Sequence, residues 1–444
     1  MKVFLTSLGC RLNEAELQTW SQVFLTKGIE TAGSHSDADL IVINTCAVTG
    51  EAARKSRQMI RRFHRKNPTA KLVVTGCYAS LEKTEAESLL GVDLLVSNSD
   101  KDQLPNLARE LLEWKSMPYA ATEPNESSLF VRNRERAFIK IQDGCRYRCT
   151  YCIVTIARGE ESSRSVEDII EEINLLYSQG INEIVITGVH VGGYGSDINT
   201  SLYHLVGSIL QDTKVPRIRF ASVEPWDLHD EFFKLFSNPR LLPHMHLPIQ
   251  SGSDQILKKM SRRCKKETFI KLIQDARKVI PDFNITTDII VGFPSESDKD
   301  FELSLNILRE AEFGHVHTFS YSPREGTKAA TLTGQIDSET KKNRSKKIHL
   351  LSEKIKSEQM KKMIGKRVQV LWEGEGKRLE EDRYRYFGYT PNYFKISTDV
   401  STSEKLSNKI LDCDITSISE SGHLVGKLVE SEFEKLDQLM IKQI

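Results

Sequence analysis

Three cysteines in one short segment place the strongest constraint on this chain. The segment reads Asp143-Gly144-Cys145-Arg146-Tyr147-Arg148-Cys149-Thr150-Tyr151-Cys152, with C-x3-C-x2-C spacing. Thiolates this close must converge on one small object, and a four-iron cluster normally takes one thiolate per iron. Three thiolates would leave one iron open, whereas a structural zinc site takes four protein ligands. We interpret the cysteines as ligands of a 4Fe-4S cluster; a structural metal knuckle or three unrelated thiols is the alternative.

Composition limits the class of protein. The chain has 444 residues, of which 39% are hydrophobic, which is normal for a globular protein of two to four domains. We predict no secretory signal and no membrane span, because no apolar run approaches the ~20 residues that a span needs. We therefore expect a cytoplasmic protein, whose eight cysteines are metal ligands or free thiols rather than disulfides. With a net charge of +1, any nucleic acid must be bound by local basic patches.

The cysteine segment resembles the cluster motif of the radical S-adenosylmethionine (SAM) enzymes. That motif is C-x3-C-x-aromatic-C, and here Tyr151 precedes Cys152. In that family the open iron chelates the amino and carboxylate groups of SAM. The resemblance therefore implies that this chain binds SAM beside the cluster.

In the first domain, residues 1–116, each of three predicted strands is followed by a cysteine. The predicted strands are Val3–Ser7, Leu40–Asn44 and Leu72–Thr75, and the cysteines are Cys10, Cys46 and Cys77. Intervening helices at Asn13–Lys27, capped by its asparagine, and Thr49–Lys66 predict a parallel sheet, whose carboxyl edge collects ligands. We therefore predict a second three-thiolate site at that edge, although buried free cysteines are also common.

The second of these helices carries a run of basic residues. It includes Arg57, Arg61 and Arg62. Such a run is often only a solvated face, but little acid compensates it here, so contact with RNA phosphates is the competing interpretation.

A linker at 117–130 and a second domain at 131–364 follow. The predicted strands of this domain are Phe138–Gln142, Glu183–Thr187, Ile218–Ala221, His244–Leu247, Ile285–Val291 and His315–Tyr321. Helices at Val166–Gln179, Asp298–Ala311 and Ser338–Met363 alternate with them, so we predict a partial (β/α)6 barrel of the TIM-like kind. Its active site would lie at the carboxyl ends of the strands.

Polar and glycine-rich loops follow several of these strands. We predict that they form the SAM pocket, through Thr187, Gly188, Val189, Ser222, Glu224, Gln250, Ser251 and Gly252. Arg158 and Arg164 are predicted to contact substrate or SAM, or to form salt bridges. Single histidines such as His190, His246 and His317 are more typical of structural roles.

The last domain, residues 365–430, has short β-rich runs that fit a small barrel of the oligonucleotide-binding kind. Its segment Arg383-Tyr384-Arg385-Tyr386 alternates cations and rings, which suits phosphates and stacked bases. We expect RNA contacts there, although a barrel strand can alternate in this way for packing alone. A tail, 431–444, follows, and Cys264 and Cys413 are predicted to be inert.

The whole chain resembles the radical-SAM methylthiotransferases. Three segments carry the resemblance: Leu8-Gly9-Cys10, Asn44-Thr45-Cys46 and Gly76-Cys77 match the auxiliary-cluster domain of that family, as Cys145, Cys149 and Cys152 match its core. The final barrel is similar to its RNA-binding TRAM module. The resemblance implies an α/β multidomain enzyme with two 4Fe-4S clusters, SAM and an external electron donor.

Two segments are most similar to one branch of that family. They are Ser7–Asn13 and Cys145–Gly159, and the branch acts on threonylcarbamoyladenosine beside the tRNA anticodon; Thr155 departs from the proline of many relatives. Carbon 2 of adenine holds its hydrogen too strongly for a side-chain base, so a SAM-derived radical would remove it. The alternatives are isopentenyl-adenosine tRNA, a ribosomal-protein aspartate, and a non-catalytic iron–sulfur protein that binds RNA.

Overall fold

A computed structural model describes residues 1–112, 135–380, 382–401 and 405–429. The predicted linker at 117–130 and the predicted tail at 431–444 lie outside these described residues. Among the described residues, no helix combines the length and apolar character needed to cross a bilayer.

The first domain is a five-stranded parallel sheet in the order β2-β1-β3-β4-β5. The strands are β1 Lys2–Ser7, β2 Glu30–Thr31, β3 Leu40–Thr45, β4 Lys71–Gly76 and β5 Leu94–Val96. The helices are α1 Arg11–Thr26, α2 Gly50–Lys66, α3 Cys77–Leu81, α4 Lys83–Ser88 and α5 Leu104–Leu111. Strand β3 is buried along its whole length, because helices cover both faces of the sheet.

The predicted cap of the first helix is wrong. Helix α1 begins at Arg11, and Cys10 occupies the N-cap position without a side-chain hydrogen bond. Asn13 is buried inside the first turn instead, where its amide donates to the carbonyls of Leu8 at 2.7 Å and Thr45 at 3.3 Å. The asparagine therefore ties two loops together rather than starting the helix.

The second domain is an open ring of six parallel strands. They form two three-stranded sheets, β10-β9-β6 and β11-β12-β13, and the bridge between Ile218 and Leu241 connects the two. The strands are β6 Arg136–Lys140, β9 Glu183–Thr187, β10 Arg217–Phe220, β11 His244–His246, β12 Asn284–Val291 and β13 His315–Ser320. A short antiparallel pair, β7 Gln142–Asp143 and β8 Ser162–Ser163, lies beside the cysteine segment. This is the predicted partial barrel.

Helices surround this ring. They are α6 Val154–Arg158, α7 Val166–Ser178, α8 Leu202–Asp212, α9 Asp254–Lys259, α10 Lys266–Val279, α11 Asp298–Ala311 and α12 Ser338–Lys361. Alternate residues of each strand, such as Ala137 and Ile139, face this helical layer. The residue between them, Phe138, faces the inside of the ring and packs with Val185 against Ala15 of α1. The first domain therefore contributes helix α1 to the inner wall.

The third domain is a closed five-stranded barrel in the order β14-β15-β16-β18-β17. Its strands are β14 Arg367–Glu380, β15 Arg383–Tyr389, β16 Lys395–Ser401, β17 Ile410–Ile418 and β18 Leu424–Leu428. Strand β14 continues beyond the apolar run that ends at Trp372, because its polar second half pairs with β15 as one arm of a hairpin. Tyr386 packs in the core of this barrel.

Candidate active site

The three cysteines of the first domain lie on three neighbouring loops. Cys10 follows β1, Cys46 follows β3, and Cys77 opens α3 directly after β4. Gly9 has φ +102°, and a Cβ at this position would lie 2.7 Å from the Cys46 Sγ. Only glycine lets the Cys10 loop approach Cys46 this closely. We call these three residues the auxiliary cysteines.

The auxiliary cysteines are close enough to influence one another electrostatically. Burial raises the pKa of Cys46 to about 11, the thiols of Cys77 and Cys10 add to the rise, and the guanidinium of Arg158 opposes it. Burial and the two neighbouring thiols therefore disfavour ionisation of Cys46 until a cation binds. That is the behaviour of a donor set built for a positively charged iron core.

The cysteines of the second domain lie on the loop after β7, and we call them the core cysteines. Gly144 has φ +66°, and a Cβ there would lie 1.8 Å from the Glu160 carbonyl oxygen, so the turn requires glycine. Gln142 fixes the turn: its amide donates to the Gly144 carbonyl at 2.7 Å and accepts from the His190 N–H at 2.8 Å. Burial raises the pKa of Cys145 to about 12.

Arg262 is a site residue that the sequence did not reveal. Its Nη1 lies 3.8 Å from the Cys149 Sγ, and its guanidinium lies over the Trp226 ring at 4.2 Å. It reaches the loop from a turn after α9, far away in sequence, so no local motif marks it. Arg262 therefore places a cation beside a core cysteine.

The two cysteine sets fit clusters better than single ions. Among the described residues, no group of three or more Cys, His, Asp and Glu side chains could hold one metal ion. The auxiliary cysteines nevertheless lie on neighbouring loops whose close approach depends on Gly9, and the core cysteines lie on one loop whose turn depends on Gly144. A cluster spreads its ligands over several irons, so it suits this arrangement.

Two asparagines join the auxiliary cysteines to helix α6, which follows Cys152 after one residue. Asn13 Oδ1 accepts from Cys10 at 3.6 Å and from Arg158 at 2.8 Å. Asn98 donates to the Ala157 carbonyl at 2.6 Å and lies 4.0 Å from the Cys77 Sγ. The two cysteine sets are therefore mechanically connected through α6.

A buried ion network surrounds this connection. Arg158, whose side chain is 2% exposed, contacts Glu16 at 3.0 Å and Asp143 at 2.9 Å, and Lys101 contacts Glu16 at 2.7 Å. The arginine and lysines hold the pKa of Glu16 far below its usual range, although burial alone would raise it. Arg164 likewise pairs with Glu172. Both arginines therefore form salt bridges, which is the second of the two roles predicted for them from the sequence.

A cavity of about 990 Å³ runs through the inside of the ring, which we call the lumen. Cys10, Thr187, Gly188 and Ser222 line one end of it, and Tyr393 of the third domain lines the other. A volume of this size accommodates a nucleoside-sized ligand. Three of the predicted SAM-pocket residues therefore face the lumen.

The other predicted SAM-pocket residues are placed differently. Glu224 is 3.9 Å from His190, and Val189 donates its N–H to Gln142. Gln250 has φ +79° and pairs with Ile289 through its backbone. Ser251 and Gly252 pack against Ser304 of α11. The hydroxyls of Ser251 and Ser304 form a hydrogen bond, and the Gly252 N–H donates to the Ser304 hydroxyl.

Of the histidines predicted to be structural, His190 is fully buried between Glu161 at 3.0 Å and Asp227 at 2.7 Å. Burial opposes protonation, but the hydrogen bond that the His190 ring donates to Asp227 and the neighbouring carboxylates raise the pKa of His190 above its ordinary value. His246 and His317 instead line the lumen.

The predicted RNA contacts lie on two surfaces. Arg61 and Arg62 are exposed on α2, whereas Arg57 pairs with Glu85 at 3.3 Å. On the third domain, Arg383 and Arg385 both pair with Asp399 on the outer face of the barrel.

The tyrosines of that strand point the other way. Tyr386 is 6% exposed and fills the barrel core, and Tyr384 packs against the same core. A strand places alternate residues on opposite faces, so the cations face outward and the rings inward. The prediction that Tyr386 stacks on RNA bases is therefore wrong.

Comparisons with known proteins agree with this architecture. The model of an uncharacterized protein family, UPF0004, matches residues 2–97, and the model of the Radical SAM superfamily matches residues 139–308. The threonylcarbamoyladenosine tRNA methylthiotransferase MtaB of Bacillus subtilis is 35% identical over 88% of this chain and 88% of its own length. The chain belongs to the radical-SAM methylthiotransferase family.

Other relatives of this methylthiotransferase include both tRNA branches. MtaB of Thermotoga maritima is 37% identical over 84% of this chain and 86% of its own length. The tRNA-2-methylthio-N(6)-dimethylallyladenosine synthase of Bacillus subtilis is 36% identical over 85% of this chain and 77% of its own length. Like its relatives, the chain is an enzyme that transfers a methylthio group.

A solved structure shares the fold of the methylthiotransferase. It is the radical SAM methyltransferase TsrM from Kitasatospora setae, with a TM-score of 0.56 at 14% identity, covering 74% of this chain and 77% of TsrM. Identity this low supports the fold alone.

Proposed function

We propose that this enzyme adds a methylthio group to carbon 2 of N6-threonylcarbamoyladenosine beside the tRNA anticodon. The observation that carries the proposal is the juxtaposition of two three-cysteine sites, joined through Asn13 and Asn98, with Cys10 of the auxiliary set lining one end of a nucleoside-sized lumen. A radical enzyme with one cluster needs only one such set. The second set supplies a place for the sulfur that is transferred.

We propose that Cys10, Cys46 and Cys77 hold an auxiliary 4Fe-4S cluster and that Cys145, Cys149 and Cys152 hold the SAM-binding one. When bound, these clusters and SAM would supply the radical, the methyl group and the sulfur, with electrons from an external donor. Each set offers three thiols for a four-iron core, which leaves one iron for a non-protein ligand.

The residues of the chain orient the reactants and exclude water. Helix α1 packs over Phe138 and Val185, so the first domain covers the inner wall of the ring. The buried guanidinium groups of Arg158 and Arg262 lie beside the auxiliary and core cysteines. A dry, preorganised and positively charged surrounding stabilises thiolate ligands and keeps a reactive centre from solvent.

Two surfaces are available for the tRNA anticodon stem-loop. One is the exposed basic face of α2, and the other is the outer face of the third-domain barrel with Arg383 and Arg385. Arginines on an exposed face suit phosphates and make RNA binding sensitive to salt.

The choice between the two tRNA branches cannot rest on identity, since both lie near 36%. Length favours the threonylcarbamoyl branch. The MtaB relatives align over 86% to 97% of their own lengths, and the dimethylallyl synthases over 74% to 87% of theirs.

Separate substitution of the two cysteine sets tests the proposal. We expect Cys149→Ala to abolish production of 5′-deoxyadenosine from SAM. We expect Cys46→Ala to retain SAM cleavage but to yield no methylthiolated tRNA, because only the auxiliary set is damaged. Cys413→Ala, which removes a buried thiol from the core of the third-domain barrel, is the matched control.

The measurements are 5′-deoxyadenosine by chromatography and tRNA nucleosides by mass spectrometry. Full methylthiolation by the Cys46 variant, or no more than about four irons per reconstituted chain, would contradict the two-cluster proposal. Methylthiolated dimethylallyladenosine as the product would contradict the choice of substrate alone.

A further inference from the structure

The inner end of the lumen contains two buried polar atoms without protein partners. Arg219 on β10 and His244 on β11 both line the lumen. They are 1% and 3% exposed, and neither Arg219 Nη2 nor His244 Nδ1 has a hydrogen-bond partner. Leaving such a buried group without a partner is unfavourable, and more so where the group is charged. Two of them facing one cavity indicate a ligand.

The two side chains are held beside the same aromatic ring. The Arg219 guanidinium lies 4.4 Å from the centroid of the Tyr393 ring, and the His244 ring lies 4.8 Å from it. Tyr393 precedes β16, so the third domain closes this end of the lumen. Arg219 lies three residues before Ser222 along the chain. Since Ser222 lies at the rim, Arg219 lies roughly 10 Å below it.

The charges around Arg219 favour an anion. Three arginines, Arg136, Arg217 and Arg219, share the carboxylate of Glu183, and Arg136 also pairs with Glu373. Three cations and two carboxylates leave one positive charge in excess within a buried region. An uncompensated buried charge is costly, so an anionic ligand would stabilise this arrangement.

The other hydrogen bonds of Arg217 and Arg219 leave one nitrogen of Arg219 without a partner. Arg217 donates to the carbonyl oxygens of Gln369 and Tyr389, both at 3.2 Å. Arg219 donates to Glu183 and to the Pro391 carbonyl at 3.1 Å, which leaves only its Nη2.

The histidine completes the site without adding charge. Burial, with Arg219 nearby, lowers the pKa of His244 well below its ordinary value, so its ring is neutral. Its Nε2 lies 3.4 Å from the Thr286 hydroxyl. The free Nδ1 donates or accepts according to the tautomer.

We propose that Arg219 and His244 form the subsite that receives the threonyl group of threonylcarbamoyladenosine, an inference that rests on the proposed function. The carboxylate of that group matches the free guanidinium donor, and its hydroxyl matches the His244 Nδ1. A dimethylallyl group has neither and would leave the buried Nη2 of Arg219 without a hydrogen-bond partner. The subsite therefore selects between the two kinds of tRNA.

Binding of two free nucleosides to the cluster-loaded enzyme tests the subsite. They are N6-threonylcarbamoyladenosine and its neutral methyl ester, and calorimetry measures both affinities. We expect the acid to bind at least tenfold more tightly than the ester. Arg219→Gln should weaken binding of the acid roughly tenfold to a hundredfold and abolish the preference, because a charge-assisted hydrogen bond is lost.

Arg217→Gln is the matched control, since Arg217 shares Glu183 with Arg219 but does not line the lumen. It should leave the preference for the acid unchanged. His244→Phe, which retains a ring beside Tyr393, is the second variant and should weaken binding of the acid roughly twofold to tenfold. His244→Phe tests the subsite if the Arg219→Gln variant does not fold.

The outcomes separate the two proposals. If the wild type methylthiolates threonylcarbamoyladenosine tRNA yet binds acid and ester equally, or if both variants keep the preference, the subsite is overturned and the proposed function stands. If the wild type modifies dimethylallyladenosine tRNA instead, the proposed function falls and the subsite with it.

Discussion

Replacement of Arg158 by methionine should loosen both cysteine loops at once. The guanidinium contacts Glu16 at 3.0 Å, Asp143 at 2.9 Å and Asn13 at 2.8 Å, with only 2% of the side chain exposed. Methionine keeps most of the apolar stem and removes every one of these contacts. The buried Glu16 and the partly buried Asp143, which lie on different domains, then lose their shared partner.

The free-energy cost of this substitution depends on the cations that still contact Glu16 and Asp143. Removing one partner of a buried ion pair costs about 3–5 kcal/mol. Lys101 still contacts Glu16 at 2.7 Å, and Lys140 remains 3.5 Å from Asp143, so we expect the lower end, about 3 kcal/mol. At 1.4 kcal/mol per factor of ten, that is roughly a 150-fold rise in local opening.

Hydrogen exchange of the cluster-free protein, followed by mass spectrometry, measures this opening. Peptides covering residues 8–16 and 142–159 should exchange faster together, since both depend on Arg158. Arg148→Met is the control, because its pair with Glu160 is exposed on both sides, at 61% and 74%, and such pairs contribute about 0–1 kcal/mol. Exchange of the Arg158 variant within about threefold of the wild type would refute the argument.

Three further predictions concern the pairs of Glu183, the outer arginines of the barrel and the barrel core. Burial would raise the pKa of Glu183, but Arg219, Arg217 and Arg136 lower it to about 2; its stabilising effect is therefore present above about pH 4.5 and lost as the pH falls towards 2. Acid titration followed by circular dichroism should show this loss in the wild type and not in Glu183→Gln. Arg383→Ala with Arg385→Ala should weaken tRNA binding and reduce its salt dependence without lowering the melting temperature, while Tyr386→Ala should destabilise the barrel by about 3–5 kcal/mol. Filter binding at several salt concentrations checks the first effect, and unchanged affinity in the arginine variant would exclude this face as an RNA surface.

Local patterns in the sequence predicted most of the architecture. The predicted bounds of Glu183–Thr187 and Asp298–Ala311 equal those in the structure, because both segments have an apolar period and a clear start or stop. The meeting of Cys10, Cys46 and Cys77 also follows from topology, since parallel strands end at one edge of their sheet.

The residues between the sites could not be predicted in this way. Asn98 is one amide in a loop, and Arg262 is one of two arginines after α9, until the folded chain brings them to Cys77 and Cys149. Tyr386 was misread because alternation of cations and rings is the same pattern whether the rings face RNA or the barrel core.

Helix α1 connects the two sites and the lumen within one turn. Asn13 reaches Cys10 and Arg158, Ala15 packs on Phe138 inside the ring, and Glu16 receives Arg158 and Lys101. Residues 13 and 16 lie on one helical face because they are three apart, so a rotation of α1 would displace both contacts together. The helix therefore fixes the distance between the auxiliary and core cysteines and shapes the lumen at the same time. A substrate bound in the lumen would for this reason contact a wall whose position already depends on both cysteine sites.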